Sequence, residues 1–231
     1  MKIDEKRIND YLDAINGEYR DKFIQFRNLL ITYNQRYNLT AITEEKEVTY
    51  KHFLDSIAGE SLFFKGENVA EIGSGAGFPS IPLKIFRNDL RFTLFESTGK
   101  KCVFLRTVVA ELGLTGVSVE NMRAEDGARG NFREKFDVSC ARAVARMNTL
   151  TEYCLPFVRV GGRMIAYKGN EEEIEEAKNA IKTLGGRLES SIYYELPENF
   201  GSRVLAVVKK EKKTPEKYPR GNGKERSLPI L

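Results

Sequence analysis

Three glycines on alternate positions follow a short apolar run in the first third of the chain. Residues 68–86 read NVAEIGSGAGFPSIPLKIF, with Gly73, Gly75 and Gly77 directly after the run. Glycine adopts positive φ and has no Cβ, so a ligand can approach its backbone closely. A tight turn between a strand and a helix also uses glycine. Three glycines within five residues favour a ligand site at the end of a strand.

Short apolar runs alternate with helical segments from Gly66 onwards. One of these segments, 171–184, is predicted as a single helix that Gly185 ends. The seven runs are NVAEIG, RFTLFE, VSVENM, FDVSCAR, GRMIAYKG, GRLESSIYYEL and SRVLAVVKK. This alternation is typical of an α/β protein with a parallel sheet and helices on both faces. No helix separates the last two runs, so we expect them to form an antiparallel hairpin. The sequence predicts a seven-stranded, mostly parallel sheet with one antiparallel edge strand.

The N-terminal part has a different pattern. Apolar residues recur every three or four positions over residues 3–34, which predicts helices that Gly17 divides. Thr43 is expected to cap a further short helix that runs to about Ile57. We therefore predict an N-terminal helical extension (1–60), a sheet-containing domain (61–210) and a basic C-terminal tail (211–231).

Positive charge is concentrated in the tail. Residues 209–231 contain eight Lys or Arg and three Glu, a balance of +5, whereas the whole chain has a net charge of +4. Such a segment is either a solvated end or an arm that contacts phosphates.

Cysteine and histidine are sparse. The three cysteines are widely spaced, no Cys-x-x-Cys pair exists and His52 is the only histidine. This argues against a structural metal site and a disulfide framework, and predicts a cytoplasmic protein without a metal. The N-terminus lacks the apolar region of a signal peptide, and no run has the length of a membrane span, so no membrane partner is expected.

The spacing of acidic residues indicates which ligand the glycines serve. The pattern is G-x-G-x-G rather than the dinucleotide pattern G-x-G-x-x-G, and no Walker lysine follows. Glu96 ends the second run, where a carboxylate can bind both ribose hydroxyls. Ala124 and Glu125 follow the third run, where an adenine edge could be read. Together these features fit S-adenosylmethionine better than a dinucleotide.

The chain resembles the bacterial small-subunit (16S) ribosomal RNA guanine-N(7) methyltransferase family, also called glucose-inhibited division protein B. The segments that carry the resemblance span residues 38–231: NLTAIT, KHFLDSI, EIGSGAGFPSIPL, ESTGKKCVFLR, NMRAED, SCARAVA, AYKG, SRVLAVVKK and KYPRGNGKERSLPIL. The resemblance implies a Rossmann-like methyltransferase fold, S-adenosylmethionine as methyl donor and a guanine in a decoding-region loop of the small-subunit RNA, or of the 30S particle, as acceptor. It also implies cofactor contacts at positions matching Gly73, Phe78, Ala124, Glu125 and Arg142. Phe78 and Ser80 stand where family members often have Leu and Gly, which keeps an apolar wall and a small residue.

The motifs that are absent agree with methylation of nitrogen 7. No Asn/Asp-Pro-Pro-aromatic run is present to hold an exocyclic amine. Methylation of a pyrimidine carbon needs a cysteine nucleophile, and we interpret Cys140 as a small core residue instead. Guanine nitrogen 7 has a free lone pair and no proton to remove, so alignment and electrostatics are what the enzyme must supply.

Arg142, at the end of the fourth run, is the predicted catalytic residue, because a guanidinium can bind the cofactor carboxylate, a phosphate or the guanine Hoogsteen edge. Arg146, Lys168 and Arg203 are weaker candidates for contacts with RNA. His52 could contact substrate or be a packed residue, and it stays outside the predicted catalytic set.

Two other functions remain open from the residues alone. One is a small-molecule methyltransferase of the same fold, which the basic residues disfavour. The other is an RNA-binding module with an inactive cofactor pocket, which the intact glycine loop and Glu96 disfavour. Measurement of cofactor binding would separate the second from an enzyme.

Overall fold

The computed structural model describes residues 1–231 and contains one seven-stranded sheet. The strands are β1 (Asn68–Ile72), β2 (Arg91–Glu96), β3 (Val117–Asn121), β4 (Phe136–Arg142), β5 (Val158–Lys168), β6 (Gly186–Leu196) and β7 (Gly201–Lys210). Their spatial order is β3-β2-β1-β4-β5-β7-β6. Strands β1 to β5 are parallel, and β7 pairs antiparallel with both β5 and β6. The predicted mostly parallel sheet is confirmed.

The reversed strand, β7, lies one position inside the edge, and β6 is the outermost strand. Residues 204–208 of β7 are all buried, whereas exposed and covered residues intermix along β6. The more apolar strand of the hairpin therefore takes the inner position, where both of its faces are covered.

Helices cover both faces of the sheet. The α-helices are α1 (Glu5–Asn16), α2 (Arg20–Tyr37), α3 (Glu45–Glu47), α4 (Asp55–Ile57), α5 (Ser80–Phe86), α6 (Gly99–Glu111), α7 (Ala124–Arg129), α8 (Met147–Cys154), α9 (Glu172–Glu176), α10 (Lys178–Thr183) and α11 (Lys224–Ser227). Helices α1, α2, α5 and α6 contribute to one apolar core, and α8, α9 and α10 to the other. The strand β1 alternates between them: Val69 belongs to the first core, and Ala70 and Ile72 belong to the second.

The N-terminal segment shares the first core with the sheet. The ring centroids of Phe26 and Phe78 lie 5.4 Å apart. The N–H group of Ile3 also donates to the carbonyl of Tyr193 on the edge strand β6, at 2.9 Å. The boundary near residue 60 is thus a change of architecture within one core, and its status as a domain boundary stays a prediction.

Two helical segments differ from the predicted ones. Gly17 separates α1 from α2 as predicted, but Thr43 is not the next cap: the Glu44 carboxylate accepts from the N–H group of Glu47 at 2.8 Å. The chain then forms a π-helix over Val48–Leu54 before α4. The single helix predicted for residues 171–184 is divided into α9 and α10 at Ala177.

The tail folds back onto the second helix layer. Arg220 donates through Nη2 to Oε2 of Glu152 at 2.7 Å, and the Glu152 side chain is only 1% exposed. Arg133 donates to the carbonyls of Thr214 and Tyr218. The tail is therefore docked on the body through the buried residues Thr214, Tyr218 and Glu225, although most of its other residues are exposed. Five of its cations remain exposed, and their contact with phosphates stays a prediction: Lys212, Lys213, Lys217, Lys224 and Arg226.

No helix in the structure is both long enough and apolar enough to cross a bilayer. The cytoplasmic location stays a prediction.

We expect Arg220→Met to lower the free energy of unfolding by about 3 kcal/mol, because it leaves the buried Glu152 carboxylate without its cation. Urea unfolding followed by circular dichroism measures this change. Lys213→Met removes an exposed cation of the same segment and serves as the control. Equal unfolding midpoints for the two variants would contradict an anchoring role for Arg220.

Candidate functional site

The glycine loop lies at the point where the strand order reverses. It follows β1, and β1 is flanked by β2 on one side and β4 on the other. Ligands of open α/β sheets bind at the carboxyl ends of the strands beside such a point. The loop and the end of β4 are therefore placed where the sequence predicts a ligand.

The three glycines all have positive φ, but they have different roles. A Cβ on Gly73 would lie 2.8 Å from Cγ2 of Val144, and one on Gly77 would lie 2.5 Å from Cγ1 of Ile81. A Cβ on Gly75 would meet nothing closer than 3.8 Å. Gly73 and Gly77 thus allow close packing, whereas Gly75 faces open space.

That open space is a cavity of about 620 Å³, which we call the glycine-loop cavity. Seven of the eight predicted cofactor residues line it: Gly73, Gly75, Phe78, Glu96, Ala124, Glu125 and Arg142. Gly77 does not line it; this glycine lies against Ile81 and Leu105 instead.

Glu96 is fixed by the loop that it faces. Its Oε2 accepts from the N–H group of Gly75 at 2.9 Å, and its Oε1 accepts from the N–H group of Thr98 at 2.7 Å. Each carboxylate oxygen can accept a second hydrogen bond. The carboxylate is therefore oriented towards the cavity and can still bind a pair of hydroxyl groups.

Ala124 and Glu125 open α7 at another side of the glycine-loop cavity. Backbone N–H groups in the first turn of a helix have no partner within the helix. Met122 and Phe95 supply apolar surface to the same cavity. An apolar wall beside free N–H groups suits a flat heterocycle such as adenine.

Arg142 links the end of β4 to the π-helix. Its Nη1 donates to the carbonyl of Lys51 at 2.9 Å and to Oδ2 of Asp55 at 2.7 Å. Its Nη2 lies 3.0 Å from Nδ1 of His52, and its guanidinium carbon lies 4.9 Å from the centre of the Phe78 ring. The position of Arg142 is thus fixed by Lys51, His52 and Asp55 and by the ring of Phe78.

His52 has a defined tautomer in this arrangement. Nδ1 of His52 lies 3.0 Å from Nη2 of Arg142 and 3.2 Å from the carbonyl of Lys51. Because arginine only donates, we assign Nδ1 as the acceptor from Arg142, so that the contact with Lys51 is not a hydrogen bond. Nε2 then carries the hydrogen and donates to Oγ1 of Thr40 at 2.9 Å. Burial, with the nearby charge of Arg142, lowers the pKa of His52 to about 3. The ring is therefore neutral at physiological pH, and it stacks on Phe78 with a centroid distance of 4.3 Å.

The sequence alone leaves His52 outside the predicted site, whereas the structure places it in the wall of the glycine-loop cavity, beside Arg142. The sequence feature that could have drawn attention to His52 is that it is the only histidine of the chain, within the segment KHFLDSI. That signal could not reveal the contact with Arg142, because the two residues are 90 positions apart.

A second cavity, of about 510 Å³, lies on the other side of this wall; we call it the basic cavity. It shares His52, Arg142, Ala143 and Val144 with the glycine-loop cavity. The cations that line it are Lys51, Arg142, Arg146, Lys168 and Arg203, and its carboxylates are Asp55 and Glu173. The three weaker RNA candidates are thus brought together, although they lie far apart in the sequence.

Glu71, the last acidic residue before the glycines, is fully buried under the loop. Its Oε1 accepts from the N–H group of Ser80 at 3.3 Å, and its Oε2 has no partner. Burial raises the pKa of this carboxyl from 4.5 to about 7. The carboxyl is therefore partly protonated at neutral pH.

The cysteines offer no nucleophile. Cys140 is fully buried in the sheet, and burial raises its pKa well above the usual value for a thiol. Cys102 and Cys154 are also buried. No group of three or more His, Cys, Asp or Glu side chains is arranged to hold a metal ion.

Comparison with known sequences identifies relatives along the whole chain. The family model described as GidB, rRNA small subunit methyltransferase G, matches residues 19–197. The ribosomal RNA small subunit methyltransferase G of Staphylococcus aureus (strain bovine RF122 / ET3-1) is 44% identical over 230 residues, covering 98% of this chain and 96% of that protein. The protein of the same name from Staphylococcus epidermidis is 42% identical, covering 99% and 97%.

Solved structures share the fold at low sequence identity. A SAM-dependent O-methyltransferase from Thermotoga maritima has a TM-score of 0.54 and 16% identity, covering 80% of this chain and 73% of that one. TYW2 from M. jannaschii, solved in complex with AdoMet, has a TM-score of 0.54 and 15% identity, covering 68% and 76%. The predicted Rossmann-like methyltransferase fold is confirmed.

We expect Gly75→Val to remove measurable S-adenosylmethionine binding while the sheet stays folded, because its side chain would enter the glycine-loop cavity. Gly113→Val is a matched control: Gly113 also has positive φ, +60°, and open space around its Cβ, but it lies at the end of α6. Both variants carry backbone strain of roughly 1–3 kcal/mol. Titration calorimetry with circular dichroism measures the two effects. Equal loss of affinity in both variants would remove Gly75 from the ligand site.

We expect Glu71 to make stability depend on pH. Its pKa is higher in the folded state than in the unfolded state, so the folded state binds more protons, and stability falls as pH rises from about 4.5 through about 7. Over this pH range, the free energy of unfolding of the wild type should fall by roughly 3 kcal/mol relative to that of Glu71→Gln. Urea unfolding at several pH values measures the difference, with the exposed Glu189→Gln as control. If the free energies of unfolding of wild type and Glu71→Gln changed with pH in parallel, the predicted role of Glu71 would be contradicted.

Proposed function

Because this chain belongs to the rRNA small subunit methyltransferase G family, we propose that it transfers a methyl group from S-adenosylmethionine to nitrogen 7 of a guanine. The guanine lies in a decoding-region loop of 16S ribosomal RNA, as free RNA or within an assembled 30S particle. One observation in the structure carries the proposal. Arg142 and His52 form a wall between a cavity suited to the cofactor and a cavity lined by cations.

The residues of the glycine-loop cavity fit S-adenosylmethionine. Glu96 is held by two backbone N–H groups and can accept from both ribose hydroxyls. Ala124 and Glu125 would bind the adenine edge, and Gly75 leaves room for the ligand beside the loop. When bound, the cofactor supplies a methyl group on a positively charged sulfur.

The basic cavity suits RNA better than a small neutral substrate. A flipped-out nucleotide carries phosphates on both sides of its base, and enzymes that modify a base take it out of the stack into a pocket. Arg146 and Arg203 line this cavity and would contact those phosphates. Arg146 is ion-paired with Glu176 and is two-thirds exposed, so it can exchange that partner for a phosphate.

The chemistry needs no general base, and the wall provides none. The two ring nitrogens of His52 are committed to Arg142 and Thr40. Guanine nitrogen 7 offers its lone pair without losing a proton first. We therefore assign to Arg142 the alignment of the base with the methyl group, and two of its five N–H groups remain free for such contacts.

The direct test is methyl transfer from labelled S-adenosylmethionine to small-subunit RNA from a strain that lacks this enzyme. Naked 16S RNA and 30S particles are compared, and mass mapping locates the product. We expect one guanine to acquire one methyl group on nitrogen 7. A methyl group on another atom, or transfer to small molecules only, would overturn the proposal.

Within the same assay, Arg142→Ala should reduce single-turnover transfer by about 10²-fold or more, the effect of misplacing reacting groups by about 1 Å. Arg142→Lys should recover little, because lysine lacks the planar fork. Arg159→Ala, at the start of β5 and paired with Asp137, is the control arginine. A rate for Arg142→Ala within about threefold of wild type, a barrier change well under 1 kcal/mol, would contradict the assignment.

A further inference from the structure

Lys168 and Glu173 form an ion pair on the wall of the basic cavity. Nζ of Lys168 donates to Oε2 of Glu173 at 2.6 Å and to the carbonyl of Ala145 at 2.7 Å. Oε1 of Glu173 accepts no hydrogen bond from the protein, and 29% of the side chain is exposed. The pair therefore presents a hydrogen-bond donor and an unused acceptor side by side.

The other carboxylate of the basic cavity cannot take the same role. Asp55 is 5% exposed, and its two oxygens are engaged by Arg142 and by the hydroxyl of Tyr194. Glu173 is thus the carboxylate of this cavity that has a free oxygen. The remaining charged groups of the cavity are cations, which only donate.

We propose that Lys168 and Glu173 read the Watson–Crick edge of the acceptor purine and select guanine. This inference rests on the proposed function. The Glu173 carboxylate accepts from the N1–H and 2-amino groups of guanine, and the Lys168 ammonium donates to O6. Flipped bases are commonly read through hydrogen bonds to this edge.

Adenine is rejected by the same pair. Its N1 is an acceptor and meets the carboxylate, and its 6-amino group is a donor and meets the ammonium. Buried polar groups left unpaired in this way account for strong discrimination between similar ligands.

The arrangement leaves nitrogen 7 free for the reaction. Nitrogen 7 belongs to the five-membered ring of the purine and is not part of the Watson–Crick edge. Glu173 lies on α9, whereas Arg142 and His52, in the wall shared with the glycine-loop cavity, lie on β4 and the π-helix. Base recognition and methyl transfer are thus served by different elements of the fold.

The test uses mononucleotides as probes and protein saturated with S-adenosylhomocysteine, which fills the glycine-loop cavity. Guanosine 5′-monophosphate is compared with inosine 5′-monophosphate, which lacks only the 2-amino group, and with adenosine 5′-monophosphate. Wild-type protein should bind the guanosine nucleotide about tenfold or more tightly than the inosine nucleotide, the effect expected of a paired contact to one base edge. Glu173→Gln should bring this ratio close to one.

Glu172→Gln is the matched control, because it makes the same change of charge on the same helix but is exposed and lies outside the cavity lining. The guanosine preference should persist in it. An equal preference in wild type and Glu173→Gln, an equal loss in both variants, or no nucleotide binding to wild type would overturn the inference. Binding and methyl transfer are measured separately, so an absence of methyl transfer with the guanosine preference intact would count against the proposed function alone.

Discussion

The pairing of one partly buried guanidinium underlies the arrangement of both cavities. Arg142 is 13% exposed, and a charge at such depth must be paired and hydrogen-bonded. Its hydrogen-bond partners, Lys51, His52 and Asp55, all lie on or next to the π-helix. The guanidinium therefore ties the N-terminal helical segment to the end of β4, and the wall between the two cavities exists because of that link. Such π-helical turns are frequent at functional sites.

Satisfaction of buried charge also explains the path of the C-terminal tail. Glu152 and Lys210 are fully buried, one on α8 and one at the end of β7. The tail places Arg220 against Glu152 and the hydroxyl of Thr214 against Lys210. Gly223 and Arg226 then reach the rim of the glycine-loop cavity. A segment whose composition suggests a free basic arm is therefore docked on the folded body, and it borders the glycine-loop cavity.

Much of the candidate site could be predicted because it lies at the ends of strands. A strand and the loop after it are local in sequence, so Gly75, Glu96 and Arg142 were each found from their own segment, and the sheet topology brings them together. Gly77 has the same local pattern as Gly75 but lies outside the cavity, because a glycine that leaves room for a ligand and one that leaves room for Ile81 look alike in the sequence. The spacing of the glycines in the sequence cannot distinguish the two kinds of glycine, whereas the atoms that a Cβ would meet in the structure can.

The sequence by itself determined the alternation of elements, the positions of the strand ends and the chemistry of the glycine loop, because these depend on local periodicity and residue type. The tertiary structure alone decided the role of His52, the meeting of Arg146, Lys168 and Arg203 around one cavity, and the docking of the tail. Each of these depends on which distant polar groups satisfy one another on burial. These pairings form only when the helices pack on the sheet, so no single segment of the sequence determines them.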